Sequence, residues 1–480
     1  MSKLPFLRIA LLTYSTKPRG SVIHTLELAS ALQALGHQVC VYALDKDGLG
    51  FDRTLSCDYN PVPAQPAPDD IDTLIRQRIQ EFVSYLSQSN QTYDCYHAQD
   101  CISANALSIL RSRQQIPHFI RTVHHIEDYK SYYLQQCQSR SIFGPDFCLC
   151  VSSYWQRELQ QRYQIYAPRV INGVNTQRFS SHPDGSEFAL KQRLGLDGEP
   201  IFLTVGGIEP RKNSIALLQA FIQLLADFPK GQLVIAGGAT LFDYQDYRKE
   251  FFALAQQSGI ELGKSLVLPG VIPDSELPAL YRLADAFVFP SVKEGWGLVV
   301  LEAIASGIPV ITSNQPPFTE FLSDQQALLV CPDEPSAIAQ AMQAVIQPTV
   351  AEKLVQQSQP VCTHYTWAAS AEMHLAHYFQ LLKPPMPEIR FLIQLPDGSQ
   401  ESCYSPSLVV KEYFTPGIDY PLEEFIQRSR TALQIASDRV EAKYGKPCGL
   451  ALGQLQQIEA MATKYHHLRQ PTVKLLRFIE

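Results

Sequence analysis

The pattern that most constrains this chain is an alternation of short apolar runs with longer segments of helical periodicity. Arg8–Thr13 reads as a buried strand. After a loop over 14–21, apolar residues at Val22, Leu26, Ala29, Leu32 and Leu35 recur at helical spacing. Gly36 stops that helix, and 38–43 returns as a strand, completing one strand–helix–strand unit. Residues 51–70 read as a proline-rich loop and 71–88 as a helix. Strands are expected at 119–123 and 147–151, with Asn172-Gly173 in a turn closing a first half near residue 185. A second series follows: strands at 201–205, 232–236, 266–268, 286–289 and 309–312, with a helix over 214–226. Such alternation predicts an α/β architecture of parallel sheets in two successive halves.

Near residue 383 the character changes. Lys383-Pro384-Pro385-Met386-Pro387 is a stiff break of the kind that separates domains. Beyond it, 388–395 alternates as a half-buried strand, Asp397-Gly398 signals a hairpin, and 401–410 is expected to return as its partner. Helices are expected over 422–444 and 450–465, giving a small appended α+β domain. The expected division is 1–185, 186–365 and 384–480, with a helix over 366–383 crossing back to the first half.

With 480 residues the chain exceeds one ordinary core. A net charge of −7 argues against nucleic-acid binding through bulk positive charge. No apolar run is long enough to span a bilayer. The N-terminal burst at 9–12 lacks a small-residue cleavage site, so a cytoplasmic location is expected. The eleven cysteines are scattered, with no C-x-x-C, which suits reduced, buried thiols. Cys148 and Cys150 share one face of a strand, and Asp45-Lys46-Asp47 has the spacing of an acidic metal motif. Packing thiols and a surface loop are the plainer readings, and no metal ion is expected.

The chemistry concentrates in 285–302. An apolar strand runs into Pro290-Ser291, and a glycine-bracketed loop, Glu294-Gly295-Trp296-Gly297, leads into a helix starting near Leu298. Gly307 and Pro309 stop that helix. The loop and helix start therefore lie at the carboxyl end of a parallel strand, where open α/β sheets bind ligands. Free N–H groups of the first helical turn suit a phosphate or a polarised sugar oxygen. Glu302, one turn on, can accept two hydroxyl hydrogen bonds. Alone, two glutamates at this spacing read as solvated helix residues; the whole ordered string does not.

That string resembles the signature of the large retaining glycosyltransferase family 4 (group 1), and the resemblance covers 8 to about 380. It implies a GT-B fold of two facing Rossmann-like domains. It places Glu294 beside the donor sugar hydroxyls, Glu302 on the nucleotide ribose, and the backbone of Gly295, Trp296, Gly297 and Leu298 against sugar and diphosphate. Val205-Gly206-Gly207-Ile208-Glu209-Pro210-Arg211-Lys212 is similar to the family's diphosphate loop, which assigns Arg211 and Lys212 to the leaving group and Gly207 to the donor site. Pro18-Arg19-Gly20-Ser21 resembles the glycine-rich loop after the first strand. Gly20 is the candidate for backbone approach, and Ser21 replaces a usual second glycine. A serine tolerates positive φ poorly, which bears on the loop's shape. Thr122-Val123-His124-His125 resembles a Thr-Val-His-Asp element, assigning a donor-contacting, catalytic role to His124. Asn172-Gly173-Val174-Asn175 resembles a structural turn, and the stretch 271–277, with Ile272, borders the base.

The resemblance implies transfer of a hexose, with retention and without a metal, from a UDP- or GDP-linked sugar to the hydroxyl of a saccharide, lipid or small-molecule acceptor. No cofactor is called for. Weak peripheral membrane contact remains open, although no strongly basic amphipathic helix is present. The alternatives are a nucleotide-sugar epimerase on the same fold and a non-catalytic sugar-nucleotide scaffold serving the C-terminal domain. The last domain looks like a small bacterial family of nitrogen-starvation-response proteins, through 387–391, 396–398, Cys403-Tyr404-Ser405-Pro406-Ser407 and 428–433. Met386 reads as a former start site after fusion. Arg428, Arg430 and Cys403 are candidates there for an anion site, against the plainer reading of a solvated helix face and a buried thiol.

Overall fold

A computed structural model describes residues 5–238, 244–382, 387–444 and 447–479. It divides into two compact units, Met1–Ala376 and His377–Glu480. The expected break at 383–386, the start-like Met386 and the extreme N-terminus, 1–4, lie outside the described residues.

The first unit holds two parallel sheets. The N-terminal sheet is formed by β1 (Arg8–Thr13), β2 (Gln38–Asp45), β3 (Asp58–Pro63), β4 (Cys95–Ala98), β5 (Phe119–Val123) and β6 (Phe147–Cys150), in the order β3-β2-β1-β4-β5-β6. Its helices are α1 (Gly20–Ala34), α2 (Ile71–Ser87), α3 (Cys101–Ser112), α4 (Tyr132–Phe143) and α5 (Ser153–Tyr163). After α6 (Glu187–Leu194), the second sheet contains β7 (Ile201–Val205), β8 (Gln232–Ala236), β9 (Leu266–Gly270), β10 (Ala286–Phe289), β11 (Val310–Ser313) and β12 (Leu328–Val330), in the order β12-β11-β10-β7-β8-β9. Its helices are α7 (Ser214–Leu225), α8 (Gln245–Gln257), α9 (Leu277–Arg282), α10 (Leu298–Ala305), α11 (Pro335–Val345) and α12 (Pro348–His364). The order is the same in both sheets. Each has a switch point beside its first strand, between β1 and β4 and between β7 and β10, where the carboxyl edge opens a crevice.

The strands are apolar on both faces because helices cover both sides: Ile9 to Leu12 and Ala286 to Val288 are fully buried. Three expectations need correction. The 51–70 loop contains β3, paired with β2 from Cys40↔Asp58 to Asp45↔Pro63. Its prolines masked it, and they are tolerated because β3 is an edge strand. Asn172-Gly173 is not a turn. It runs extended against 365–367, with Val174 N donating to the Tyr365 carbonyl at 3.0 Å, and the turn comes later, closing on Asn175. Ser21 sits in α1 without positive φ, so the serine imposes no strain on the loop.

α13 (Trp367–Leu382) follows α12. Its start packs on the N-terminal half: Trp367 lies 5.4 Å and His374 5.6 Å from the His24 ring.

The second unit is an antiparallel sheet of β13 (Ile389–Gln394), β14 (Gln400–Ser405), β15 (Asp419–Pro421) and β16 (Thr472–Ile479), ordered β14-β13-β16-β15. It is accompanied by α14 (Val410–Tyr413), α15 (Leu422–Tyr444) and α16 (Gly449–Ala462). Gly398, at φ +83°, forms the expected hairpin tip. The partner strand stops at Ser405 and not at 410, because Val410 turns into α14 and is buried in the core with Phe391 and Phe414. The last strand, β16, was not anticipated, yet it lies inside the sheet. Arg428 pairs with Glu424 and Arg430 with Glu459. Cys403 is buried, its thiol pushed up to about 12 by desolvation. The anion-site candidates are thus committed to other partners or enclosed.

Candidate active site

Glu294 is the centre of the site. It follows β10 and is 9 % exposed. Its Oε1 accepts from Arg211 Nη1 at 2.8 Å, Lys212 Nζ at 2.7 Å and Ser291 Oγ at 2.8 Å. Burial alone would raise its pKa, but the two cations and these hydrogen bonds overcome burial and hold it at about 2. Arg211 also lies 3.6 Å from Glu209. Lys212 stands 4.5 Å over the Phe289 ring, and burial followed by repulsion from Arg211 lowers its pKa. Arg211 and Lys212 come from the 3₁₀ turn Pro210–Lys212 between β7 and α7. The two cations and Glu294 therefore meet across the β7/β10 switch point, as the topology requires.

The loop after Glu294 is shaped by two glycines. A Cβ on Gly295 would stand 2.5 Å from the His124 carbonyl oxygen, so this loop lies against backbone of the N-terminal half. Gly297 has φ +102°, and its Cβ would stand 2.6 Å from Phe318. No side chain caps α10, leaving the first N–H groups of that helix without a side-chain acceptor. Trp296 belongs to this loop only through its backbone: its ring is buried and stacks on Phe321 at 4.7 Å.

Glu302 is separate from the cationic cluster. It accepts from Tyr281 Oη at 2.9 Å. Desolvation, only partly offset by Tyr281 and Arg178, raises its pKa to about 7. Ile272 follows β9 and is buried, Gly207 follows β7, and Gly20 begins α1, which also lacks a side-chain cap.

His124 follows β5. Its Nε2 pairs with Gln99 Oε1 at 3.0 Å and its ring meets that of His24 edge-on at 4.7 Å. His24 Nδ1 pairs with Asn172 Oδ1 at 2.7 Å, and His97 Nε2 with Thr122 Oγ1 at 2.8 Å. Desolvation lowers all three histidine pKa values, that of His24 to about 4. They are neutral imidazoles able to donate on one side and accept on the other.

Several contributors gave no local sequence signal. Trp155 Nε1, from α5, donates to the Glu294 carbonyl at 2.9 Å. Glu320 accepts from the N–H groups of Ser153 and Tyr154 at 2.7 and 2.8 Å, joining the two halves. Lys293 lies 3.6 Å from Glu127 and 3.5 Å from Asp128. Ser291 stood inside the recognised string without a role attached. The two acidic residues of 45–47 are used locally. Asp45 accepts from the N–H groups of Gly48 and Gly50, and Asp47 pairs with Lys17. Cys148 and Cys150 are core residues whose thiols donate to backbone carbonyls.

Two facing Rossmann-type sheets with a charged crevice at the second switch point make up a GT-B fold. The family described as glycosyl transferases group 1 matches residues 186–359, glycosyltransferase family 4 matches 18–178, and the nitrogen starvation-induced protein NitG matches 390–478. The chain belongs to the group 1 glycosyltransferases and carries a NitG-type domain at its C-terminal end.

It is 29 % identical to alpha-monoglucosyldiacylglycerol synthase of Streptococcus pneumoniae over 66 % of this chain and 74 % of that one. It is 22 % identical to D-inositol 3-phosphate glycosyltransferase of Corynebacterium urealyticum over 80 % and 97 %. Among solved structures, sucrose-phosphate synthase from Thermosynechococcus elongatus superposes with TM-score 0.63 at 23 % identity, covering 78 % of this chain and 98 % of that one. Anabaena Alr3699/HepE in complex with UDP-glucose gives 0.64 at 18 %, covering 77 % and 99 %. No helix among the described residues is long and apolar enough to cross a membrane.

Proposed function

We propose that this enzyme moves a hexosyl group, with retention, from a nucleoside diphosphate sugar to an acceptor hydroxyl. The observation that carries the reading is the convergence of Arg211 and Lys212 on buried Glu294 at the β7/β10 switch point. In this reading Arg211 and Lys212 take the donor diphosphate, and Glu294 accepts hydroxyls of the donor sugar while keeping the two cations in place. Glu302 takes the ribose hydroxyls, the backbone of 295–298 with Gly207 and Gly20 approaches sugar and phosphates, and Ile272 borders the base. His124 contacts the donor sugar.

Bond breaking at the anomeric carbon builds negative charge on the departing diphosphate. Fixed cations in a water-poor site stabilise that charge without reorganising, which is the work a divalent metal does elsewhere. The sugar passes through an oxocarbenium-like state. The acceptor hydroxyl attacks from the face the diphosphate leaves, and a departing phosphate oxygen takes the hydroxyl proton. No protein carboxylate needs to act as nucleophile. Glu294, already paired with two cations, is poorly suited to that role. A UDP-linked donor in a cytoplasmic enzyme is the working choice, supported by the UDP-glucose that Alr3699/HepE holds.

The test is a panel of UDP-, GDP- and ADP-hexoses with chelator present. One nucleotide series should raise the melting temperature and release nucleoside diphosphate on addition of acceptors. Stabilisation by a nucleotide with no transfer or hydrolysis under any condition would favour a silent scaffold. Turnover that stops on chelation would remove the metal-independent mechanism.

A further inference from the structure

The first sheet carries a cavity at the edge opposite its crevice. Arg8, Gln38 and Asp58 are the first residues of β1, β2 and β3, and Gln91 and Tyr93 stand shortly before β4. Together with Asn60 they line a space of about 260 Å³. The register explains the gathering. Arg8 lies opposite Gln38, and Cys40 opposite Asp58. Residues two apart on a strand share a face, so Arg8, Gln38 and Asp58 rise from one side of the sheet. Substrates of open α/β sheets bind at the carboxyl edge. This cavity sits a strand length away from that edge, roughly 20 Å at about 3.3 Å per residue. It is also smaller than the roughly 300–1,000 Å³ of pockets for drug-sized ligands. It therefore suits a small metabolite and not a nucleotide sugar.

Two opposite charges mark the cavity. The Arg8 guanidinium reaches only Thr92 Oγ1, at 3.5 Å, and the Tyr93 ring, 5.7 Å from its centre. The neighbouring Asp94 carboxylate is occupied by the Arg8 backbone N–H at 2.7 Å. Asp58 has no side-chain hydrogen bond or ion pair among the described residues. The two cannot neutralise each other, because β2 stands between β1 and β3. The rest of the lining is aromatic and amide. Tyr42 and Tyr93 hydroxyls donate to Gln91 Oε1 at 2.8 and 2.6 Å. That orients the amide and leaves its Nε2 without a protein partner among the described residues. Asn60 Nδ2 is held at 3.1 Å from Cys40 Sγ.

One free cation and one free carboxylate around a small space match a ligand that carries both charges. We infer that this cavity binds a free α-amino acid with an uncharged amide side chain. Arg8 takes the carboxylate and Asp58 the ammonium, as charge-assisted hydrogen bonds. The amides of Gln38, Asn60 and Gln91 take the side chain. No second cation or carboxylate lines the cavity, so a charged side chain would be left without a partner. The site is separate from the donor crevice and does not depend on the transferase reading.

Calorimetric titration of the full chain with L-glutamine tests this. Saturable binding is expected, with Kd of about 1 mM or tighter. Two analogues each lack one charge: 4-aminobutanamide has no carboxylate, and glutaramic acid has no ammonium. Each should bind about tenfold weaker or worse. Arg8→Gln should weaken glutamine by a similar factor and leave 4-aminobutanamide unchanged. Asp58→Asn should weaken glutamine and leave glutaramic acid unchanged; it lies on an exposed strand start, so its fold should persist even if Arg8→Gln unfolds. Lys212→Ala should bind glutamine as the wild type does. No saturable binding at about 10 mM, or affinity unaffected by both substitutions, would overturn the inference. So would glutamate binding as tightly as glutamine, or loss of glutamine binding in Lys212→Ala, which would place the ligand in the donor site.

Discussion

The two sheets of the first unit share one strand order and differ in how they keep polar groups at their carboxyl edges. In the second half, Glu294 is buried and ionised because Arg211 and Lys212 sit on it. In the first half, His24, His97 and His124 are kept neutral by desolvation. The Glu294 cluster holds compensated charge and the histidine cluster suppressed charge. Compensated charge can be handed to a ligand that brings its own; a neutral imidazole cluster instead fixes hydrogen-bond directions. The contrast teaches that the shared topology supplies the crevice, while side chains from separate loops decide its electrostatics.

The largest break in this comparison should come from Lys212→Ala. Removing one fixed cation from the leaving-group site should lower kcat by about 10²–10³. Steady-state turnover at saturating donor measures it, and an unchanged kcat would remove Lys212 from the diphosphate site.

Next comes Gly295→Ala, which forces a methyl to 2.5 Å from the His124 carbonyl. Relief requires the loop and the N-terminal half to separate, at about 1–3 kcal/mol. Both the melting temperature and kcat/KM should fall. If the variant matches wild type in both, the close approach is not needed in solution.

The pH dependences contributed by Glu302 and His24 should run in opposite directions. Glu302 binds its proton more tightly folded, near 7, than the ordinary value of 4.5. Stability is therefore lost as pH rises from 4.5 to 7, by about 3 kcal/mol in the limit. Glu302→Gln should remove that loss, so its melting temperature relative to wild type should climb between pH 4.5 and 7 and level off above. A gap that stays constant across this range would contradict the raised value. His24 has the reverse sign: lowered from 6.5 to about 4, it contributes stability that is complete above 6.5 and fades as pH falls toward 4. Carbon-detected NMR of the imidazole should find it neutral at pH 6; a protonated ring there would contradict the suppressed-charge description.

The smallest effect is expected at Asp47→Asn. Asp47 is exposed and its partners are local, a half-exposed Lys17 and the N–H of Leu49, so turnover in chelator should remain within about twofold of wild type. A large loss, restored by a divalent cation, would return the acidic triplet to the mechanism.

The element order and the donor string were readable because both are local. The strand over 286–289, the glycines 295 and 297 and the helix start at Leu298 lie in one stretch whose period and turn residues carry their own conformational preferences. β3 was missed because Pro61 and Pro63 speak against a strand, and only the sheet edge tolerates them. β16 was missed because its place is decided by pairing with β13, some eighty positions earlier. The Asn172-Gly173 pair has turn composition, yet Asn172 pairs with His24 and the next residue, Val174, donates its N–H to the Tyr365 carbonyl.

By itself, then, the sequence determined most of the parallel strands, their alternation with helices, and where a phosphate-friendly helix start would fall. Only the tertiary structure brought Glu294 onto Arg211 and Lys212, set Trp155 beneath the same loop, and closed the histidines around His24. The physical reason is range. Backbone preference and amphipathic period act over a turn or two, whereas ionisation state depends on which distant charges and how little water surround a group after packing.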